Sequence, residues 1–167
     1  MSPYSLVVIG SGPGIGSHVA RQFAKQGFSK IALVARNSTQ LVKARISVEE
    51  AIRGANVVVK TYSVDITDSE KLKATLEQVE IDLGPPEVVF FNAARVLPST
   101  LLETSDDEMV YDFKVYGPQG VHIGLVIVAG MVAPDNEKLN PLHIAEKTFE
   151  LYNQERDEWT LEVDIRE

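Results

Sequence analysis

The chain has 167 residues, enough for one domain with a sizeable core, and its apolar fraction of 44% and charged fraction of 24% are ordinary for a globular protein. It contains no cysteine, which excludes disulfides, thiolate metal ligands and cysteine nucleophiles. The three histidines, His18, His122 and His143, are too far apart in sequence to form a cluster with ligand spacing. No metal site is therefore predicted.

The net charge of −8 is distributed unevenly. Residues 1–60 carry a net charge of +6 and residues 61–167 a net charge of −14. This asymmetry indicates either a solvated acidic surface or a positive first third that faces an anionic ligand. An acidic chain argues against nucleic acid as a partner. The first residues show no signal segment and the apolar run 121–134 is too short to span a bilayer, so we expect a cytoplasmic location without a membrane partner.

Apolar runs predict six strands in chain order. They are Tyr4–Ile9, Lys30–Ala35, Asn56–Thr61, Glu87–Phe91, Val121–Val128 and a weaker strand near Thr160–Asp164. The runs Val57–Val59 and Val88–Phe91 are continuous, which is typical of parallel strands buried on both faces.

The segments between the strands carry helix signals. Ile15, Val19 and Phe23 form an i, i+4 stripe in the first helix, and Gly27 is a natural stop. Capping boxes are predicted at Thr67-x-x-Glu70 and Ser105-x-x-Glu108, and an N-cap followed by proline at Asn140–Pro141. Alternating strands and helices with short connections predict a single α/β domain over residues 1–167, built on a doubly wound parallel sheet.

Residues 5–16, SLVVIGSGPGIG, lead from the first strand through four glycines into the first helix. Glycines without Cβ atoms and the N–H groups of a helix N-terminus favour the approach of a phosphate. A G-x-G-x-x-G match that starts at Gly10 fails because position 15 is isoleucine, and the spacing is Gly10-x-x-x-Gly14-x-Gly16. The alternative interpretation is a tight turn without a ligand.

Polar residues follow the next three strands. Arg36 stands where dinucleotide folds that prefer NAD carry an acidic residue. An arginine there can pair with the 2′-phosphate of NADP, so NADP is favoured. The alternative interpretation is a solvated surface arginine. Asp65 can accept a hydrogen bond from an adenine amino group, and Asn92 can brace its turn or contact the ribose. Either residue alone also fits local bonds to the backbone.

Together these four elements resemble the short-chain dehydrogenase/reductase family, over residues 4–116 and again over 117–167. Within the match, the turn after strand four ends in Ala94–Arg95 rather than glycine, and Lys114 replaces an expected asparagine. The resemblance implies an NADP(H)-dependent oxidoreductase (NAD is the less favoured cofactor) that acts on a carbonyl or secondary alcohol. It also implies roles for cofactor-binding residues: Gly10, Ser11, Gly14, Ile15 and Gly16 for the pyrophosphate, Arg36 and Asn37 for the 2′-phosphate, Asp65 and Ile66 for the adenine, and Asn92 and Ala93 for the ribose region.

Members of that family catalyse with a serine and a Tyr-x-x-x-Lys, and this sequence contains neither in the corresponding place. One strand–helix unit of about 30 residues or more is missing near residues 114–118. Tyr152-x-x-x-Arg156 and the pair Tyr111 and Lys114 are interpreted as surface or packing residues, so no catalytic residue is predicted. The chain as it stands is expected to be almost inactive.

Two explanations of the gap stay open at this point. Either Tyr116 is joined directly to Gly117, or the natural molecule carries a further segment there, which would raise its intact mass above 18.4 kDa. The close match on both sides favours the second explanation. The functional alternatives are a reductase and a catalytically silent dinucleotide-binding module, with homo-oligomers possible in either case.

Overall fold

The computed structural model describes residues 4–53, 56–92, 125–155, 157–158, 160 and 162–166. Strands and helices alternate in this part of the chain. The strands are β1 (Ser5–Ile9), β2 (Lys30–Ala35), β3 (Val58–Ser63), β4 (Val88–Phe91), β5 (Leu125–Ala129) and β6 (Glu162–Arg166). The helices are α1 (Ile15–Lys25), α2 (Ser38–Ala51), α3 (Ser69–Leu83) and α4 (Pro141–Tyr152).

Every strand pair in the described residues is parallel. Four strands form one sheet in the order β3-β2-β1-β4, and β5 and β6 form a second sheet. Six parallel strands and the α/β class are thus confirmed, although they are divided between two sheets. The division falls in the chain between β4 and β5, where the sequence predicts that one strand–helix unit is missing. The predicted junction at 114–118 and the Ser105 capping box lie outside the described residues.

Helices cover both faces of the four-stranded sheet, as a doubly wound topology requires. Successive side chains of a strand point to opposite faces. Leu6 and Val8 pack in one buried cluster with α1 and α2, whereas Val7 and Ile9 pack in another with α3. The two central strands are therefore buried on both sides.

The prediction that Val57–Val59 and Val88–Phe91 are buried on both faces is wrong. Val58 is 46% exposed, and in β4 Val89 is 53% and Phe91 60% exposed. The reason is position, because β3 and β4 are the outer strands of the sheet and β1 and β2 lie between them. Apolar runs do not distinguish outer from inner strands.

Strand ends in the described residues differ from the predicted ends by one or two residues, because backbone pairing decides them. β3 begins at Val58, whose N–H donates to the Ser29 carbonyl oxygen, and continues to Ser63 opposite Ala35. β1 begins at Ser5 and β4 at Val88, one residue later than predicted.

Helix capping agrees with the sequence at one site and corrects it at another. Asn140 caps α4 by accepting the His143 N–H at 2.8 Å, as predicted. The N-cap of α3 is Asp68, which accepts the Lys71 N–H at 3.1 Å, so the capping box that starts at Thr67 is wrong. Thr67 instead donates its N–H and its hydroxyl to Asp65. The carboxylate of the next residue, Asp68, therefore caps the helix.

An aromatic cluster joins α1 to α4. Phe23 lies at 5.0 Å from Phe28 and 5.1 Å from Phe149, measured between ring centroids, and Tyr152 lies at 5.5 Å from both Phe23 and Phe28. Phe23 and Val19 are fully buried, which confirms the predicted stripe of α1. Gly27, with φ of +98°, follows the helix end as predicted.

We expect Phe23→Ala to lower the free energy of unfolding by about 3–5 kcal/mol, because it removes a fully buried ring and leaves a cavity between two helices. Urea unfolding followed by circular dichroism measures the loss. Ile81→Ala is the control, since Ile81 is 78% exposed and its truncation should change stability by about 0.5 kcal/mol or less. Equal effects of the two substitutions would contradict this description of the core.

Candidate functional site

The segment after β1 forms a tight turn anchored on β2. Gly10 has a φ of +89°, which favours glycine, and the N–H groups of Gly10 and Ser11 donate to the Val34 carbonyl oxygen at 2.8 and 3.1 Å. Gly12 N–H donates to the Gly10 carbonyl oxygen at 2.9 Å. These bonds hold the turn across the carboxyl end of the sheet.

Gly16 sets the distance between α1 and that turn. A Cβ atom at position 16 would lie 2.8 Å from the Gly10 carbonyl oxygen and 3.0 Å from the Ser11 Cα atom, both of which belong to the backbone. By contrast, a Cβ atom at Gly12 or Gly14 would meet no atom of the described residues within 4 Å. The glycines therefore have two roles: Gly16 permits close packing, and Gly12 and Gly14 border open space.

The N-terminus of α1 faces this open space with unused donors. Its N-cap, Gly14, has no side-chain cap, and the first turn holds no acidic residue. Among the described residues, no hydrogen bond engages the N–H groups of Gly14, Ile15 or Gly16. Free N–H groups and the partial positive charge of a helix N-terminus suit a phosphate.

A hydroxyl group without a partner lies in the same turn. Ser11 is fully buried, and its Oγ atom has no hydrogen-bond partner within the described part of the chain. An unsatisfied buried hydroxyl is costly, so a ligand or a water molecule that bonds to Ser11 Oγ would be stabilised here. Ser11 is one of the predicted cofactor-binding residues.

The residues after β2 differ in how freely their side chains can act. Arg36 is exposed, and no ion pair or side-chain hydrogen bond of its guanidinium is found among the described residues. The Asn37 side-chain oxygen accepts the Gln40 N–H at 3.0 Å and caps α2. Arg36 is thus available to an anion, whereas Asn37 has only its amide N–H groups to offer.

Asp65 is engaged in a local turn after β3. Its Oδ1 atom accepts hydrogen bonds from the Thr67 N–H at 3.0 Å and the Thr67 hydroxyl at 2.9 Å. These bonds, with a smaller contribution from the positive charge of Arg36, hold the pKa of the Asp65 carboxyl below its usual value. The local interpretation of Asp65 is therefore present in the structure, and a ligand contact would use Oδ2. Ile66 packs beside it against the apolar cluster under α3.

Asn92 braces the glycine turn. Its Nδ2 atom donates to the Gly10 carbonyl oxygen at 3.1 Å, and its N–H donates to the Ile9 carbonyl oxygen at 2.7 Å. This is one of the two predicted roles of Asn92. Ala93, predicted beside it, lies outside the described residues.

Hydrogen bonds connect the ends of all four strands of the sheet. Gly10 bonds to the end of β2, Asn92 bonds to Gly10, and the Ser63 hydroxyl donates to the Arg36 carbonyl oxygen at 2.9 Å. The structure therefore brings Gly10, Arg36, Asp65 and Asn92 to one edge of the sheet. In open α/β sheets the ligand binds at this edge.

Sequence reasoning missed two side chains in the first turn of α1. Ser17 Oγ lies 3.0 Å from the Pro13 carbonyl oxygen and 3.1 Å from that of Gly14, and His18 Nδ1 lies 2.9 Å from the Gly14 carbonyl oxygen. The available signal is a polar residue three or four positions after the glycine turn, because such side chains reach back to the preceding backbone.

Of the tyrosines with a Tyr-x-x-x-Lys-like spacing, only Tyr152 belongs to the described residues, and it packs between two helices. Tyr152, the first member of the Tyr152-x-x-x-Arg156 spacing, belongs to the aromatic cluster of α1 and α4, and burial raises the pKa of its hydroxyl. It is a packing residue, as expected. Three further residues of these pairs, Tyr111, Lys114 and Arg156, lie outside the described residues. The described residues contain no group of three or more histidine or acidic side chains that could hold a metal ion.

Comparison with known proteins gives a family match over most of the chain. The family model described as KR domain matches residues 5–124. The short chain dehydrogenase/reductase AacuD of Aspergillus aculeatus is 28% identical over 117 residues, which are 68% of this chain and 39% of that protein. Human 17-beta-hydroxysteroid dehydrogenase 13 is 32% identical over 113 residues, which are 66% of this chain and 35% of that protein. The chain thus spans less than half the length of these curated relatives.

Three solved structures are similar as well. One is L-sorbose reductase from Gluconobacter frateurii, complexed with NADPH and L-sorbose. It is 33% identical with a TM-score of 0.53, and the match covers 64% of this chain and 39% of the reductase chain. NAD+-bound xylitol dehydrogenase is 28% identical with a TM-score of 0.51, over 65% of this chain and 40% of its own. A short-chain dehydrogenase from Rhodopseudomonas palustris, at 21% identity and a TM-score of 0.69 over 98% of both chains, supports the fold alone.

We expect Gly16→Ala to lower the free energy of unfolding by about 1–3 kcal/mol, because the added methyl group meets backbone atoms that can move only with the turn. Gly12→Ala is the matched control, since its methyl group enters open space and should change stability by about 0.5 kcal/mol or less. Urea denaturation of both variants measures the difference. Equal stability of the two variants would argue against the close approach at Gly16.

Proposed function

The chain belongs to the short-chain dehydrogenase/reductase family, and on that premise we propose that it binds NADP(H) at the carboxyl ends of β1 to β4. The observation that carries the proposal is the contrast among the glycines. Gly16 lets α1 approach the turn, whereas Gly12 and Gly14 border space that no described residue fills, beside N–H groups without an acceptor in the described residues. That combination suits a diphosphate, which needs close access to backbone donors.

The buried Ser11 hydroxyl supports the same placement. Its Oγ atom lacks a partner in the described residues, and a phosphate oxygen would satisfy it. In this proposal Gly10, Ser11, Gly14, Ile15 and Gly16 hold the pyrophosphate. In the same proposal Asp65, through Oδ2, and Ile66 bind the adenine, and Asn92 binds the ribose region together with Ala93, which lies outside the described residues.

Arg36 supports NADP(H) as the cofactor. Its guanidinium is exposed at the strand edge without an ion pair among the described residues, and a guanidinium pairs well with a phosphate. Asn37 contributes only an amide N–H, because its oxygen caps α2. Of the similar solved structures, L-sorbose reductase is complexed with NADPH and xylitol dehydrogenase with NAD+, so the preference rests on Arg36.

The reaction proposed for the complete site is hydride exchange with a carbonyl or secondary alcohol, for which the nicotinamide of the bound cofactor supplies the hydride. This chain's own residues bind and orient the dinucleotide. The sequence has no serine and Tyr-x-x-x-Lys in the family's positions, and loss of a general acid alone lowers a rate by about 10²–10⁴-fold. We therefore propose that the chain as it stands is almost inactive.

A catalytically silent dinucleotide-binding module is the second candidate. The location of Tyr152 in the aromatic cluster favours it, since this tyrosine packs between helices rather than at the strand edge.

No helix in the described residues is long and apolar enough to cross a bilayer. The cytoplasmic location, the single domain and a homo-oligomer remain predictions.

We expect calorimetric titration to show binding of NADPH by the purified chain, and absorbance at the NADPH band to show no turnover with aldehydes and ketones above the rate without protein. Binding without turnover supports both halves of the proposal. Absence of NADPH and NADH binding would contradict the proposed site, and ordinary reductase rates would contradict the proposed inactivity.

We expect Arg36→Ala to weaken NADPH binding by about tenfold or more while NADH binding is unchanged, because only NADPH carries the 2′-phosphate that the guanidinium would pair with. Arg53→Ala is the matched control, since Arg53 follows the C-terminal end of α2 and its side chain is 81% exposed. If Arg36→Ala affected both cofactors equally, Arg36 would not be the residue that selects NADP(H).

A further inference from the structure

Ser17 and His18 contact the backbone of the glycine turn from the first turn of α1. Ser17 Oγ lies within hydrogen-bond distance of the Pro13 and Gly14 carbonyl oxygens, at 3.0 and 3.1 Å. His18 Nδ1 lies 2.9 Å from the same Gly14 oxygen, and the His18 backbone N–H adds a longer bond of 3.4 Å. Because a carbonyl oxygen can only accept, Nδ1 of His18 carries a proton.

These contacts determine the direction of two N–H groups. A peptide unit is planar and trans, so its C=O and N–H bonds point in opposite directions. Holding the Pro13 carbonyl therefore orients the Gly14 N–H, and holding the Gly14 carbonyl orients the Ile15 N–H. Both carbonyls are held from the helix side, so both N–H groups point away from the helix, where no described residue accepts them.

The turn needs such support because its own residues provide little. Gly14 has no side chain to restrict its backbone, and as N-cap it makes no side-chain hydrogen bond. Ser17 is only 4% exposed, so its hydroxyl acts inside the turn rather than toward solvent. Donors that are oriented before a ligand arrives need less ordering when it binds.

We propose that Ser17 and His18 are positioning residues that orient the Gly14 and Ile15 N–H groups toward the diphosphate of the dinucleotide. The inference rests on the proposed function, because it concerns the same phosphate site. Neither side chain belongs to the predicted cofactor-binding set. The fully buried Ser11 hydroxyl in the same turn, which has no partner among the described residues, is a second, independent sign of a ligand there.

The test compares a ligand that has the diphosphate with one that lacks it. NADPH affinity is measured by its fluorescence, and adenosine 2′-monophosphate affinity by chemical-shift titration. We expect Ser17→Ala and His18→Leu each to weaken NADPH binding about 5- to 20-fold, since hydrogen bonds to charged groups are lost or misdirected. Binding of adenosine 2′-monophosphate should stay unchanged, because it has no group at the turn.

Two further variants separate positioning from general structure. His18→Asn restores a donor at nearly the place of Nδ1, so its NADPH affinity should return to within about threefold of the natural chain. Thr148→Val is the matched control, because it removes a buried hydroxyl that bonds to the Ile144 carbonyl oxygen at 2.8 Å in α4, in the same i−4 pattern. It should leave the affinities for both ligands unchanged.

The failure of this inference is distinguishable from that of the proposed function. If the natural chain binds no NADPH, the proposed function fails. If it binds NADPH and the Ser17→Ala and His18→Leu variants bind it equally well, the positioning role is wrong. Equal weakening of both ligands, or failure of His18→Asn to restore binding, would likewise overturn it, because a merely structural role predicts those results.

Discussion

The contact between Gly16 and the Gly10 carbonyl oxygen is the constraint on which the site depends. Space for one hydrogen, and not for a methyl group, separates the first turn of α1 from the turn after β1. The same Gly10 oxygen accepts hydrogen bonds from Gly12 and from Asn92, so helix, turn and β4 converge on one backbone atom. A shift of any of these elements would move the others with it.

This constraint leaves open, within the described residues, the side of the turn where the phosphates are proposed to bind. Backbone hydrogen bonds from Gly10 and Ser11 to Val34 attach the turn to β2. The side chains of Ser17 and His18 attach it to α1. The N–H groups of Gly14, Ile15 and Gly16 have no acceptor among the described residues, and no described atom lies within 4 Å of a Cβ atom built at Gly12 or Gly14. In the proposed site the backbone supplies the donors for the phosphates, and the exposed Arg36 supplies the positive charge proposed to select NADP(H).

Tyr152 packs between helices and is not one of the residues at the strand edge. The tyrosine with the most suggestive spacing, Tyr152, lies among Phe23, Phe28 and Phe149, where it joins α4 to α1. Membership of the short-chain dehydrogenase/reductase family therefore explains the sheet, the glycine turn and the residues at its edge. It does not by itself provide a proton donor in this chain.

Much of the fold and part of the site were readable from local patterns. The order of strands and helices, the buried stripe of α1 and the Asn140 cap follow from residue type and spacing over a few positions, which is the range on which propensity and capping act. The glycines, Arg36 and Asn92 were identified because each directly follows an apolar run. Only the tertiary structure decided the exposure of β3 and β4, because it depends on which strands lie at the outside of the sheet. The Asp68 cap, the bonds of Asp65 to Thr67 and those of Ser17 and His18 to the glycine turn span only two to four residues. There the sequence offers several polar side chains for the same backbone groups, and the local backbone geometry selects among them. Sequence spacing thus reports which residues are available, whereas burial depends on strand order and hydrogen-bond partners on the backbone conformation.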